Sequence, residues 1–376
     1  MIGSSGVFVR PAVKEDTLAI ADMLRDEGLS LPPADKPDLV VEHWERLWDD
    51  NPYYKESKEP VFYGWVLIDS DKVVGFFGYM PRVYFLNGKM ITVQISTNWA
   101  IHKSYRRFAY SLCDAMFNGR AADLKITTTA IEQTGKIFSM FLSKRYPDPD
   151  FGYAQVIPLR IEKLLKEKFA KYRNVLAPLD IPARFINYFL PVSVKSRLIW
   201  NTKEVQQITI ENLPPDFHEF WNSYLETSSG LIASRSPEVM KWVYADVKNE
   251  QRKRIFVYRN PETNRLEGYS SLILEPVVSN PEIKRYKVGD ILYLNETAKN
   301  ALIKAMIKYS LTDGADVMEV HLVRDISSED IPVYHVPRKT AAFPVFYHTS
   351  DAELSEFLSE KNNWYFTPYD GDTILG

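Results

Sequence analysis

Residues 102–117 read HKSYRRFAYSLCDAMF, with Arg106 and Arg107 side by side where a helix begins and the small residues Ala109 and Ser111 just after them. A helix start presents unpaired backbone N–H groups and the positive end of the helix dipole. Arginines placed there suit a phosphate group. They equally suit solvated surface charge, and the two residues by themselves leave both readings open. Other chemistries find less support. The six histidines are scattered without metal-ligand spacing such as HExxH, and no GxSxG motif marks a nucleophilic serine. Cys113 is the only cysteine, so neither an intrachain disulfide nor a CxxC pair nor a cysteine zinc cluster can form. With Leu112 and Met116 beside it, Cys113 is expected to be a small buried hydrophobe on a helix.

The elements that must position these residues belong to a chain of 376 residues, long enough for two ordinary cores. The net charge of −3 and the lack of any Lys/Arg-rich run argue against a general nucleic-acid binder. The N-terminus, MIGSSGVFVRPAVKED, lacks the long apolar core of a signal peptide. No apolar stretch reaches the roughly 18 residues of a transmembrane segment. Together with the single cysteine, this leads us to expect a soluble, cytoplasmic protein.

Alternation in VFVRP predicts a strand, and KEDTLAIADMLRDEG an amphipathic helix with Leu18, Ala21 and Leu24 on one face. A helix containing VVEHWERLWDD follows. Strands are then predicted at VFYGWVLID, KVVGFFGYMPRVYF and KMITVQISTNWAI, the arginine-bearing helix comes next, and DLKITTTAI reads as a further strand. The second half repeats this order. SPEVMKWVYADV is a helix opened by Ser236 and Pro237, and RIFVYRN, LEGYSSLILEPV and YKVGDILYL are strands. ETAKNALIKAMIKYSLTDG is a helix and DVMEVHLV a strand. Trp44 and Gly75 correspond to Trp242 and Gly268, so one α+β unit is used twice. Residues 161–205 are basic, helical at first and then broken by prolines, as expected of a connector; a lid or membrane-surface helix is the alternative.

With its leading strand the opening stretch becomes NWAIHKSYRRFAYSLCDAM. This resembles the signature of the GNAT superfamily of acyl-CoA N-acyltransferases, a strand ending V-x-V-H-P followed by x-Y-R-G-x-G-x-G and a helix. Ala100, Ile101 and His102 match the strand end, and Tyr105 and Arg106 match the loop. Lys103 replaces the proline, and Arg107, Ala109 and Ser111 replace the three glycines. The resemblance runs over residues 7–157 and more faintly over 208–345. It implies acetyl-CoA or another acyl-CoA as co-substrate, with no metal. The diphosphate would be held at the loop, so the implied binding residues are Ala100, Ile101, Arg106, Arg107, Phe108, Ala109, Tyr110 and Ser111. In the second half YKVGDILYL runs straight into NETAKNAL without such a loop, as in tandem GNAT proteins whose second copy shapes the substrate cleft. Fem-type aminoacyl transferases are a second two-copy relative, but a net acidic chain without a basic helical arm does not suit their tRNA.

Acyl transfer to an amine needs a base, donors for the oxyanion and an acid for the thiolate. Where the GNAT pattern often has a carboxylate on the strand before the loop, VQISTNWAI offers only Gln94, Thr97 and Asn98, which can orient water or substrate. Glu132, beside Gln133, is the carboxylate that the alignment puts near the thioester; helix-start charge is its other reading. Phe141 stands where the family has its tyrosine acid, and His102 is expected to be structural. The resulting expectation is an α+β protein of two GNAT-like domains, each a mixed, mostly antiparallel sheet flanked by helices. Residues 1–160 would form the acyl-CoA-binding domain, 161–205 the connector and 206–376 a degenerate second copy. It would acylate the amine of a small molecule, an amino sugar being one candidate, with Glu132 and Asn98 as catalytic residues. A non-catalytic GNAT-derived ligand-binding or interaction protein remains the alternative, and the oligomeric state stays open.

Overall fold

The computed structural model describes residues 6–128, 130, 132–148, 153–160, 200–245, 252–277, 280–321, 324, 326–339 and 344–371. The connector expected at 161–205 therefore lies almost wholly outside the described residues. The first half runs β1 (Val7–Pro11), α1 (Thr17–Asp26), α2 (Pro37–Trp44), α3 (Pro52–Ser57), β2 (Gly64–Asp69), β3 (Lys72–Leu86) and β4 (Lys89–Ile101). A 3₁₀ turn over Lys103–Phe108 leads into α4 (Ala109–Asn118), then β5 (Leu124–Thr127), α5 (Glu132–Met140), β6 (Lys144–Arg145) and β7 (Tyr153–Pro158). The second half runs β8 (Val205–Ile208), α6 (Phe217–Thr227), β9 (Leu231–Ala233), α7 (Pro237–Tyr244), β10 (Lys253–Arg259), β11 (Leu266–Pro276) and β12 (Lys284–Tyr293). It continues with α8 (Glu296–Thr312), β13 (Val317–His321), β14 (Val336–Lys339), β15 (Phe346–His348), α9 (Ala352–Phe357) and β16 (Trp364–Tyr365).

Two mixed sheets share one plan. In the first, β1 to β4 are antiparallel neighbours and β5 runs parallel to β4. In the second, β8, β10, β11 and β12 are antiparallel and β13 runs parallel to β12. Between the sheets lies one apolar core shared by both halves, in which Trp44 and Trp48 from the first meet Trp221 and Trp242 from the second. Helices α4 and α5 pack a separate cluster on the outer face of the first sheet, and α8 does so on the second. Periodicity explains most of this: Ile20, Ala21, Met23 and Leu24 of α1 are buried. Leu18 is not, being 45% exposed, because the inward stripe of α1 is set by Ile20 and Leu24 and turns Leu18 to solvent. Ser236 caps α7 through Val239 N–H and Pro237 occupies its first turn, as the sequence predicts.

The sheets are completed by exchange. Strand β15, from the end of the chain, inserts between β5 and β6 of the first sheet. Strand β7, from the end of the first half, inserts between β13 and β14 of the second. Division of the chain at residues 160 and 206 thus follows covalent order, while pairing crosses it in both directions. Close packing accommodates the exchange: a Cβ on Gly135 of α5 would lie 2.3 Å from the Phe346 ring of β15. The aromatic residues Trp364, Tyr365, Phe366 and Tyr369 sit in the interior. The reason is ionic. Arg235, wholly buried, donates from Nε to Asp290 (3.0 Å) and from Nη1 to Asp370 (3.2 Å) and the Ala233 carbonyl (2.6 Å). The Tyr269 hydroxyl donates to Asp290, and Thr367 Oγ1 donates to Asp290 at 3.0 Å. Removing one partner of a buried pair strands the other charge, at about 3–5 kcal/mol. Arg235→Met is therefore expected to lower the unfolding free energy by about that amount in urea titration; an unchanged midpoint would show that the cluster does not hold the C-terminal segment.

Candidate functional site

The β4–β5 ladder pairs Val93 with Leu124 and ends at Ser96 with Thr127. Strand β4 continues to Ile101 with β3 on its other side. Two residues past the last β5 pair, Asn98 has φ +48°, and the β3 register shifts between Phe76 and Gly78. This is a β-bulge, which bends a strand and increases its twist. Gly78 makes room for it, since a Cβ there would lie 2.7 Å from the Thr97 carbonyl. By this point the pairing with β5 has ended. Trp99 packs against both Phe77 (5.1 Å) and Phe138 of α5 (5.4 Å), which also touch each other (6.0 Å), forming an aromatic cluster on the α4/α5 face. Its indole N–H is buried and finds no acceptor among the described residues, which leaves a donor for a bound polar group.

Beyond β4 the chain turns through Lys103–Phe108 before α4 begins, so the predicted single helix is two segments. Tyr105 pins the turn by donating to Asp69 at 2.6 Å, a bond that holds the Asp69 carboxyl below the usual range. The first backbone donors are already engaged: Lys103 N–H with Glu27 (3.2 Å), Ser104 N–H with His102 Nδ1 (3.4 Å) and Tyr105 N–H with the His102 carbonyl (2.8 Å). Positive charge here is presented by side chains. Arg106 is 72% exposed and meets Glu27 at 3.7 Å, and the exposed Arg107 lies 4.9 Å over the Phe108 ring. Glu27, at the end of α1, was not signalled by sequence because nothing local ties it to the turn 76 residues later.

Ala100 and Ile101 form the last rungs of β4, opposite Phe76 and Gly75. Ala109, Tyr110 and Ser111 open α4, with Tyr110 and Ser111 exposed. Gln94 and Thr97 are buried in β4, so neither faces bulk water. Glu132 opens α5 after the end of β5; its side chain lies outside the described residues. Phe141 is buried, stacked on Phe117 at 5.0 Å and tilted against Tyr110 at 4.9 Å. Cys113 is buried, and burial pushes its thiol up to about 12. Among the described residues no group of three or more His, Cys, Asp or Glu side chains could hold a metal ion, and no helix is long and apolar enough to cross a membrane.

The second half repeats the device and closes it. Pairing of β12 with β13 ends at Lys287 and Glu319, and a bulge falls at Gly289, again two residues on. Here Thr367 and Pro368 of the C-terminal segment, together with Ile326, fill the gap, leaving a cavity of about 10 Å³. That is at most one water. His321 lines it with an unpartnered Nε2, and burial pushes its pKa down to about 3.

No protein-family model and no curated protein matches the chain. Solved structures similar to it include a GCN5-related N-acetyltransferase from Anabaena variabilis, at 11% identity and TM-score 0.59, over 92% of this chain and 73% of that one. A conserved protein of unknown function from Enterococcus faecalis, a probable N-acyltransferase, matches at 11% identity and TM-score 0.57, over 93% and 74%. A GCN5-related N-acetyltransferase from Kribbella flavida matches at 11% and 0.55, over 92% and 71%. The chain has the GNAT fold, in two copies.

Lys125 of β5 is 6% exposed and donates from Nζ to the carbonyls of Met116 (3.2 Å) and Phe117 at the end of α4. A cation there complements the helix dipole, but burial pushes the ammonium down to about 8 from the ordinary 10.5. Between those values the unfolded chain binds the proton and the native chain does not, so this group makes stability rise with pH across the interval. The stability of wild type relative to Lys125→Met should increase by about 3 kcal/mol from pH 7 to pH 10.5. A difference that stays flat in urea titrations across that range would place the native pKa at its ordinary value.

Proposed function

We propose that this chain moves an acyl group from acyl-CoA to the amine of a small molecule, using the opening between β4 and β5 of the first half, and that it does so in the cytoplasm. The observation that carries the reading is the conjunction of three features along one run of chain. Asn98 bulges the strand just past its β5 pairing, Trp99 beside it has a buried N–H without a partner among the described residues, and Arg106 and Arg107 stand exposed at the turn beyond. In this reading the indole N–H meets a polar group of the pantetheine arm, and Lys103, Arg106 and Arg107 bind the diphosphate. Side chains take over part of the role that backbone amides play in a glycine-rich loop: Arg107 stands where the pattern has its first glycine. Charge-assisted bonds from arginine suit phosphate oxygens.

Glu132, at the start of α5 and next after β5, is proposed as the base that takes the ammonium proton, with Asn98 orienting the acceptor. An amino sugar is the proposed acceptor. The second reading, a ligand-binding protein without catalysis, is favoured by Phe141, whose ring has no proton to give the departing thiolate and is packed against Phe117.

Calorimetry should show one coenzyme A bound per chain, since the second gap is filled by the chain's own residues. Ala109→Glu should abolish that binding by setting a carboxylate against the diphosphate; undiminished binding, or two equivalent sites, would overturn the assignment. For catalysis, free thiol release across a panel of acyl-CoAs and amino sugars should reveal turnover. Glu132→Gln should slow it about a hundredfold, the usual effect of losing a general base, with coenzyme A affinity unchanged. Tight binding without turnover on any amine would favour the non-catalytic reading.

A further inference from the structure

Arg82 lies in β3, paired with Val93. Four residues and about 13 Å of strand separate it from Gly78 at the bulge. It is only 3% exposed. Its Nη1 donates to the Tyr369 carbonyl at 3.0 Å, and its guanidinium lies over the rings of Tyr369 (5.0 Å) and Trp242 (5.8 Å). Nη2 is buried with no acceptor; the carboxylate of Asp370 is near enough for its charge to act on Arg82 but forms no ion pair with it among the described residues. An unsatisfied buried donor costs about 1–3 kcal/mol, more when charged. Such a group is retained where something else satisfies it.

A cavity of about 310 Å³ lies against this guanidinium, between the two halves of the chain. Phe85 and Met90 wall it from the first half, and Trp221, Leu225 and Trp242 from the second. Its size is at the lower end of small-molecule sites, and its wall mixes aromatic and aliphatic side chains with polar ones, among them Asn51, His218 and Asn222. It shares Pro52, Glu56, Glu238 and Trp242 with an outer cavity of about 540 Å³. The outer cavity is lined by five carboxylates, Glu42, Glu45, Asp50, Glu56 and Glu238, against three cationic side chains, Arg46, Lys55 and Lys241. Lys55 is engaged by Asp50 at 2.9 Å. Glu56 and Glu238 are exposed and form no ion pair among the described residues. The passage therefore runs from an acidic mouth, past an aromatic waist, to a buried cation.

We propose that this passage binds a small amphoteric molecule, with its carboxylate on Arg82, its apolar body against the edge-to-face pair Phe85 and Trp221 (5.8 Å), and its ammonium group toward Glu56 and Glu238. The site is separate from the opening between β4 and β5, and the proposal holds whether or not the chain transfers acyl groups. A carboxylate supplies the missing acceptor to Nη2, and a charge-assisted bond in a desolvated site is among the stronger kinds. The carboxylates at the mouth favour a cationic far end over a second anion.

The full chain is titrated with ω-amino acids of five to eight carbons, each beside its amide and its plain alkanoate. Trp221 and Trp242 in the walls give the fluorescence signal, and calorimetry gives the affinity. The expected result is saturable binding of at least one amino acid, about tenfold or more tighter than both analogues, as the loss of a charged hydrogen bond dictates. Arg82→Gln should erase the preference for acid over amide, and Glu238→Gln should reduce the preference for amino acid over alkanoate. Because Arg82 is buried, Asn222→Asp provides a second test at an exposed position on the rim of the inner cavity. It should weaken acid binding about fivefold or more while leaving the circular dichroism spectrum unchanged. Absence of saturable binding across the panel, equal affinity for acid and amide, or an Asn222→Asp variant that binds as wild type would each overturn the proposal.

Discussion

Arg235 carries a charge with no access to water, and its two carboxylate partners come from places far apart in the chain. Asp290 lies just past the bulge of β12, and Asp370 lies close to the C-terminal end of the described chain. A lone buried charge is costly, whereas a guanidinium between two carboxylates, with carbonyl and hydroxyl groups completing its hydrogen bonds, is tolerated. Meeting that requirement ties the C-terminal segment to the second sheet. The same segment has by then passed through the first sheet as β15, so the charge cluster also fixes where the halves stand relative to each other. The Tyr365 hydroxyl, donating to the Ile291 carbonyl, adds a second tie across the same contact.

One consequence is an asymmetry between two copies built on one plan. Each has a bulge two residues beyond the end of its parallel pairing, at Asn98 and at Gly289. In the second copy Asp290, held by Arg235 and Thr367, draws the C-terminal segment into the gap, leaving room for at most one water. In the first, Trp99 stands on the helix-packed side of the strand and stacks on Phe77 and Phe138. The gap beyond it leads to a turn rich in exposed cations. Two sheets of one plan thus differ at this place: in the second, the C-terminal segment packs beside the bulge as a structural plug.

The edge of β3 beyond its pairing with β2 has its own character. Trp48 Nε1 donates to the Tyr79 carbonyl at 2.6 Å, Asn51 Nδ2 to the Pro81 carbonyl at 2.9 Å, and Ser234 N–H to the Val83 carbonyl at 2.9 Å. Side chains of the first half and backbone of the second together satisfy the edge of β3 beyond the reach of β2. That accounting is necessary because buried carbonyls need donors.

Much of this was present in the sequence by itself. Alternation located β1, β3, β4, β10, β11 and β12, and the capping residues Ser236 and Pro237 located the start of α7, because strand pleat and helix capping are governed by neighbours within a few residues. The repeat was legible through Trp44 and Trp242, and the GNAT resemblance through Tyr105 and Arg106. Tertiary structure alone decided the rest. That β7 and β15 trade sheets follows from which edges are left open once each half has folded, and a three-residue strand such as Phe346–His348 carries no periodicity to announce it. Glu27 at the turn, Trp99 among its rings and Arg82 with Nη2 lacking an acceptor are roles conferred by residues tens or hundreds of positions away. Chain spacing cannot encode such roles, because burial and hydrogen-bond satisfaction are properties of the assembled interior.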